Sequence, residues 1–478
     1  MEHILDWSKA YQRYFEEMAA IPHGSGYEKQ YSDYLVRFAQ EHGLRCKQYE
    51  IGNVIIYKQA SAGYESHPTV VLQAHIDMVC EKTPKCNHDF EKEPLELYIE
   101  DGWLHAKGTT LGADDGTGVC YMLAILADDS LAHPALECIF TSMEEVGLDG
   151  AIALEPTDIN GRRYINLDGG GGGIETVITA AGGRCWNGTM DIHQIDTKKK
   201  GYRLTIGGLA GGHSGESIHR EKGNAIKLCA RMLKEIQKQG IITLSSICGG
   251  SKDNAIPRDC WAEFVADIDE QVIEKTVETF KKVLQEELFY SDQGLTISFE
   301  KAEIDNVWEQ EESDKFLDLL FLCPTGLRHK NMNIKDHTIA SENLAVVKTL
   351  EDTAKVTISM RSSFQSYIDQ MTEELKILGR LYGLSQEESG SYPAWNYEEQ
   401  SHLREIMRKV VKQCTGKELI EKAVHGGLEC GVAKEKWPDM DIITMGPVAK
   451  AVHSPDECLN LQSFDECYEV LCELITCL

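Results

Sequence analysis

Apolar positions recur three and four apart over residues 6–20, and again over 28–43, where the run stops at Gly43. That spacing predicts two amphipathic helices, joined by the loop Ile21-Pro-His-Gly-Ser-Gly26 with its proline and glycines. The period then shortens. Residues 47–50 and 53–58 read as short strands, and the apolar, β-branched run leading into His75-Ile-Asp77 reads as a buried one. Gly108-Thr-Thr-Leu-Gly-Ala-Asp-Asp-Gly-Thr-Gly118 opens a predicted helix over 119–126. Residues 135–143 and 164–168 predict two further buried strands, the second running into Gly169–Gly173, where the chain can turn sharply. Residues 442–447 predict another strand, 451–457 a loop, and the last residues a helix. Strands alternating with helices give an α/β class.

The middle of the chain follows a different plan. Residues 183–394 contain an approximate internal repeat. The first copy runs through a strand at 202–206, a helix at 225–238, the loop Asp253-Asn-Ala-Ile-Pro-Arg258, a strand at 260–268 and a helix at 272–288. The second takes a strand at 295–301, a helix at 313–322, Ser341–Ala345, a strand at 354–361 and a helix at 367–382. Each alternates β-α-β-β-α, a ferredoxin-like pattern, so this segment reads as a second domain with its own core, inserted into a first made of 1–182 and 395–478.

Polar side chains cluster at the strand ends. His75 and Asp77 lie two apart and so share a face. Asp114 and Asp115 sit among glycines before a helix, Glu144 and Glu145 follow the 135–143 strand, Asp168 ends the next, and His453 lies in the late loop. Paired aspartates would repel phosphate, and the Gly-Lys-Ser/Thr of a nucleotide loop is missing. Two imidazoles with three carboxylates are a common cage for two divalent metals, one carboxylate bridging; mixed nitrogen and oxygen donors favour zinc, with manganese or cobalt as alternatives. In the middle domain, the glycine-rich loop Gly207–Gly215 presents His213, Asn254 lies in a polar loop, and Arg361 ends a strand, a residue type suited to gripping a carboxylate.

Composition narrows the partners. A formal charge of −29 over 478 residues disfavours nucleic acid and anionic membranes. No apolar run is long enough to span a bilayer, and the acidic start lacks the pattern of a signal peptide, so a cytoplasmic location is expected. The 16 cysteines include no Cys-x-x-Cys pair and read as reduced, mostly core residues.

Taken together, Ala-His75-Ile-Asp77-Met-Val, Leu-Gly-Ala-Asp114-Asp-Gly-Thr-Gly, Glu144-Glu-Val-Gly, Asn-Leu-Asp168, Gly-Gly-His213-Ser-Gly, His425-Gly-Gly-Leu-Glu-Cys-Gly and Val-His453-Ser-Pro-Asp-Glu resemble the dinuclear-zinc peptidases that include peptidase T, carnosinase and bacterial dipeptidases. The resemblance covers nearly the whole chain. It implies a zinc-peptidase catalytic domain, with a mixed central sheet between helices, and an inserted α+β lid of two ferredoxin-like units. It implies two Zn2+ per chain: Asp114 bridging, His75 and Asp168 completing one metal, Glu145 and His453 the other. Asp77 would orient His75, Glu144 would be the general base, His213 would stabilise the tetrahedral intermediate, and Asn254 and Arg361 would bind the substrate's C-terminal carboxylate. The Asp114–Asp115 peptide would be cis, and Glu429 would lie near the substrate's amino end. The implied reaction is hydrolysis of unblocked dipeptides, Xaa-His and broader, by a homodimer. An N-acyl amino acid deacylase with the same centre, or a catalytically silent metal-stabilised binding protein, are the alternatives.

Overall fold

In the computed structural model, which describes residues 3–332 and 337–478, Val70–His75 runs parallel to both of its neighbours, Leu136–Thr141 and Arg163–Gly171. Asp441–Gly446 extends the parallel set beyond Arg163–Gly171. Val54–Lys58 and then Arg45–Gln48 add antiparallel strands at the other edge, making a six-stranded mixed sheet. All six residues of Val70–His75 and of Leu136–Thr141 are buried, the polar Gln73, His75, Glu137 and Thr141 among them.

The two faces of this sheet differ. Val70, Leu72 and Ala74, with Leu136, Cys138, Phe140, Ile165 and Ile443, join one apolar core with the helices Ala10–Ala19, Lys29–Glu41, Ala113–Ala127, His402–Thr415 and Leu461–Thr476. The opposite face carries Gln73 and His75, with Thr141 and Asn166 beside them on the flanking strands. Parallel strands bring their C-terminal ends to one side, so the polar residues there converge. This first unit comprises Met1–Thr179, Trp395–Ala423 and Leu428–Leu478. Among its cysteines, Cys120 and Cys138 are free and buried.

The second unit, Ala180–Ala394 with Val424–Gly427, is built on one nine-stranded antiparallel sheet. Its first half is a β-α-β-β-α-β unit: Gly201–Gly207, helix Ala225–Gln237, Ile242–Gly249, Cys260–Ala266, helix Glu270–Glu287 and Thr296–Ala302. One reading from the sequence is corrected here. The strand expected at 295–301 does not open the second repeat; as Thr296–Ala302 it pairs along Gly201–Gly207 and closes the first. The opening strand of the second repeat is instead Gly182–Asp191, which precedes the whole first repeat in the chain and lies between Thr353–Ser362 and Ser385–Tyr392. One ferredoxin-like unit is therefore inserted inside the other, and a linear search for repeats cannot see that. Strand Ile242–Gly249 escaped the sequence pattern because a bulge between Leu244 and Ser246 breaks its alternation. Its last residues pair with Val347 and Lys348 of Thr338–Thr349, which joins the two halves edge to edge.

Among the described residues, no helix is long and apolar enough to cross a membrane.

Candidate metal centre

His75 closes its strand with an exposure of 1%. Its Nδ1 donates to the main-chain carbonyl of Asp77 (2.9 Å), which turns Nε2 toward Asp114 Oδ1, 3.1 Å away. The Asp77 carboxylate also lies 3.6 Å from that Nδ1, and its oxygens accept the backbone N–H groups of Glu144 (3.0 Å) and Glu145 (3.3 Å) and the hydroxyl of Ser25 (2.8 Å). Asp77 thus holds His75 through its carbonyl and the Glu144–Glu145 turn through its side chain.

Asp114 lies in the first turn of Ala113–Ala127, which begins six residues before the helix expected from the sequence. Asp114 and Asp115 have non-helical backbone angles and are joined by a cis peptide. This turn is fixed by Glu457, whose buried carboxylate accepts the N–H groups of Leu111 (2.7 Å), Gly112 (3.1 Å), Ala113 (2.9 Å) and Asp114 (3.4 Å). Glu457 is four residues from His453. Strands Ala449–Lys450 and Cys458–Asn460 pair as a hairpin whose loop carries both residues, and Cys458–Asn460 is tied in turn to Trp103–Ala106. Glu457→Ala leaves four main-chain donors without their carboxylate; we expect a loss of about 2–4 kcal/mol of stability, read as a lowered Tm, while an unchanged melting curve would remove Glu457 from this role.

Four side chains meet here. Donor atoms of His75, Asp114 and Glu145 lie within 4.8 Å of one another. His453 Nε2 is 3.3 Å from Asp114 Oδ2 and 3.0 Å from Glu145 Oε1. Asp114 therefore directs one oxygen to each histidine. Asp168, in Arg163–Gly171, belongs to the same electrostatic group: burial, and then the like charge of Asp114, push its carboxyl well above the usual range against the pull of His75. The glycines that follow serve close approach and turning. A Cβ on Gly169 would lie 2.8 Å from the Met445 backbone, and Gly171, Gly172 and Gly173 all have positive φ.

Charge in the cluster is lopsided. Burial alone would raise Asp114, but the imidazoles of His453 and His75 outweigh it and hold the carboxyl low. His453 is correspondingly raised, to about 10, by Asp114 and Glu145. For His75 burial acts downward, and Asp114, Glu144 and Asp168 overcome it. Burial raises Glu144, helped by Glu429, Glu145 and Asp114 and opposed by His75. Among the described residues, no lysine or arginine pairs with Asp114, Glu144, Glu145 or Asp168. Buried carboxylates without counter-charge are costly. Glu145 Oε1 is buried without a hydrogen bond of good geometry, and the His453 imidazole 3.0 Å away is its counter-charge. Imidazole nitrogens, carboxylate oxygens and an excess of negative charge fit divalent metal.

Beneath His75 lies a polar network of which the sequence signalled only Glu429. Glu429, 1% exposed, accepts from Thr141 Oγ1 (2.9 Å) and from Gln73 Nε2. Gln73 Oε1 accepts from Asn166 Nδ2 (2.7 Å) and the Tyr164 hydroxyl (3.1 Å). Burial raises the Glu429 carboxyl to about 7, partly countered by His75.

Residues 71–476 match the profile described as Peptidase family M20/M25/M40. The chain belongs to that family. This M20 chain is 34% identical over 465 residues to the cytosol non-specific dipeptidase of Escherichia coli (strain K12), with 96% of each chain covered. The crystal structure of aminoacylhistidine dipeptidase from Vibrio alginolyticus matches with a TM-score of 0.89 and 33% identity, over 100% of this chain and 98% of that one. Aminopeptidase PepT from Bacillus cereus, at 15% identity and a TM-score of 0.58 over 99% of each chain, shares the fold. The α/β peptidase fold class read from the sequence is the M20 fold found, and the protein is a metal-dependent peptidase.

The other three expected site residues belong to the second unit. His213 lies in the short strand Gly212–His213, paired with Ala255–Ile256, and not in an open loop. Asn254 adjoins that pairing, and its carbonyl accepts the Ser214 N–H (2.8 Å). Arg361 lies in Thr353–Ser362, where Met360 faces the core and Arg361 the opposite side.

Proposed function

We propose that this M20 peptidase is a dipeptidase that holds two zinc ions, with Asp114 between them. One observation supports this most strongly: the two oxygens of Asp114 divide between His75 and His453. In this reading His75 and Asp168 serve one ion, Glu145 and His453 the other. The relatives named for dipeptides and aminoacyl-histidine give the substrate class, unblocked dipeptides with Xaa-His among them. The same reading makes the enzyme a cytosolic homodimer.

When bound, the ions lower the pKa of water and draw charge from the substrate carbonyl. Glu144 takes the proton of the attacking water as the new C–O bond forms. The backbone of this residue is pinned by Asp77, which fixes where the carboxylate can reach. The same group then passes its proton to the leaving amine as the C–N bond breaks. His213 donates a hydrogen bond to the oxygen that has gained charge, a kind of contact worth about 3–4 kcal/mol in tested cases. Asn254 and Arg361 bind the terminal carboxylate, and that grip leaves no room for a longer chain.

A panel of free dipeptides and N-acetyl amino acids, assayed with and without EDTA, tests the reading. We expect chelator-sensitive cleavage of the dipeptides alone. Preferential cleavage of N-acetyl amino acids would favour a deacylase, and no turnover of either would favour a binding protein. For Arg361→Ala we expect KM to rise about 10–100-fold for free dipeptides and far less for their C-terminal amides. Equal effects on both would remove Arg361 from the carboxylate site.

A further inference from the structure

Arg361 is only 8% exposed, yet among the described residues no carboxylate pairs with its guanidinium. Its partners are neutral hydroxyls: Nε donates to Ser214 Oγ (3.3 Å) and Nη1 to the Tyr392 hydroxyl (2.7 Å). A desolvated cation held only by hydroxyls keeps its charge for an anion that arrives from outside.

The strand register shows how Tyr392 gets there. Tyr392, Gly183, Arg361 and Ser341 form one cross-strand row on four adjacent strands. Two steps of a sheet separate Tyr392 from Arg361, about 9–10 Å of backbone spacing. Gly183, the residue between them, has no side chain, and the tyrosine ring lies across it. A Cβ on Gly183 would collide with Tyr392 Cζ and its hydroxyl. Gly427 closes the other side of the ring: a Cβ there would lie 2.7 Å from Tyr392 Cε2. The row ends at Ser341, whose hydroxyl meets His425 Nε2 at 2.7 Å. Two glycines therefore clasp one aromatic ring so that its hydroxyl lands on one guanidinium. That hydroxyl accepts from Arg361, and its own proton has no acceptor among the described residues.

We propose that Tyr392 is a specificity-determining residue of this peptidase, fixing the Arg361 guanidinium and donating its own O–H to the same substrate carboxylate. The proposal rests on the reading of Arg361 given above and goes beyond it. Because the ring is held by Gly183 and Gly427, Tyr392→Phe removes the hydroxyl and keeps the packing.

The test compares Tyr392→Phe, Arg361→Ala and the double variant on free dipeptides and on their C-terminal amides. For Tyr392→Phe we expect KM for free dipeptides to rise about 10–100-fold, with a smaller change in kcat and little change for the amides. Because both side chains would serve one carboxylate, the double variant should be little worse than Arg361→Ala alone. If Arg361→Ala separates dipeptides from amides while Tyr392→Phe affects both alike, or if the two effects multiply, the Tyr392 proposal is overturned and the Arg361 reading stands. If Arg361→Ala itself does not discriminate, both fall. A melting curve of each variant shows whether a raised KM comes from a damaged fold.

Discussion

Glu144→Gln lowers kcat by about 10²–10⁴-fold, the span expected when a general base is lost, while the protein stays folded and keeps its metal. The substitution keeps side-chain size and leaves untouched the Glu144 N–H, which is what Asp77 holds at 3.0 Å. No metal-facing donor is removed in the proposed assignment, because Glu145 and not Glu144 lies against His453. Loss of turnover should therefore occur at full metal content. Turnover near that of the parent, or a loss matched by loss of metal, would mean that Glu144 is not the base.

Asp114→Ala has the second large effect, and of a different kind. It removes the one carboxylate that reaches both histidines, at 3.1 Å and 3.3 Å. Both ions should bind poorly, and kcat/KM should fall about 10³-fold or more, since metal supplies several kcal/mol of transition-state stabilisation in such sites. A readout independent of activity is the rise in Tm on adding zinc to metal-free protein, which measures binding to the folded state. Parent protein should show that rise and Asp114→Ala should not. A variant that keeps the rise in full would show that Asp114 is no bridge.

The strand ends were the legible part of this site. His75, Asp77, Glu144, Glu145 and Asp168 could be picked out because each lies at the end of a largely apolar run that reads as a buried strand; the structure makes those strands parallel, so their ends fall on one side. His453 was legible only as a histidine in a loop between two elements. Local periodicity does not record long-range contacts. Glu457 reaches across 346 residues to Leu111, and Glu429 across 356 to Gln73. The second unit was legible as repeated helices and strands, but its order was not. The sequence pattern assigns no element to residues 182–191, which form strand Gly182–Asp191. Only its place between Thr353–Ser362 and Ser385–Tyr392 shows that it opens the later repeat, and that Gly183 makes room for Tyr392.

Anomalous X-ray diffraction from zinc-loaded crystals tests the central assignment most directly. The account predicts two peaks about 3.5–4 Å apart, with one oxygen of Asp114 on each, His75 and Asp168 at the first, and Glu145 and His453 at the second. A single peak, or peaks away from these five side chains in protein that cleaves dipeptides, would contradict it.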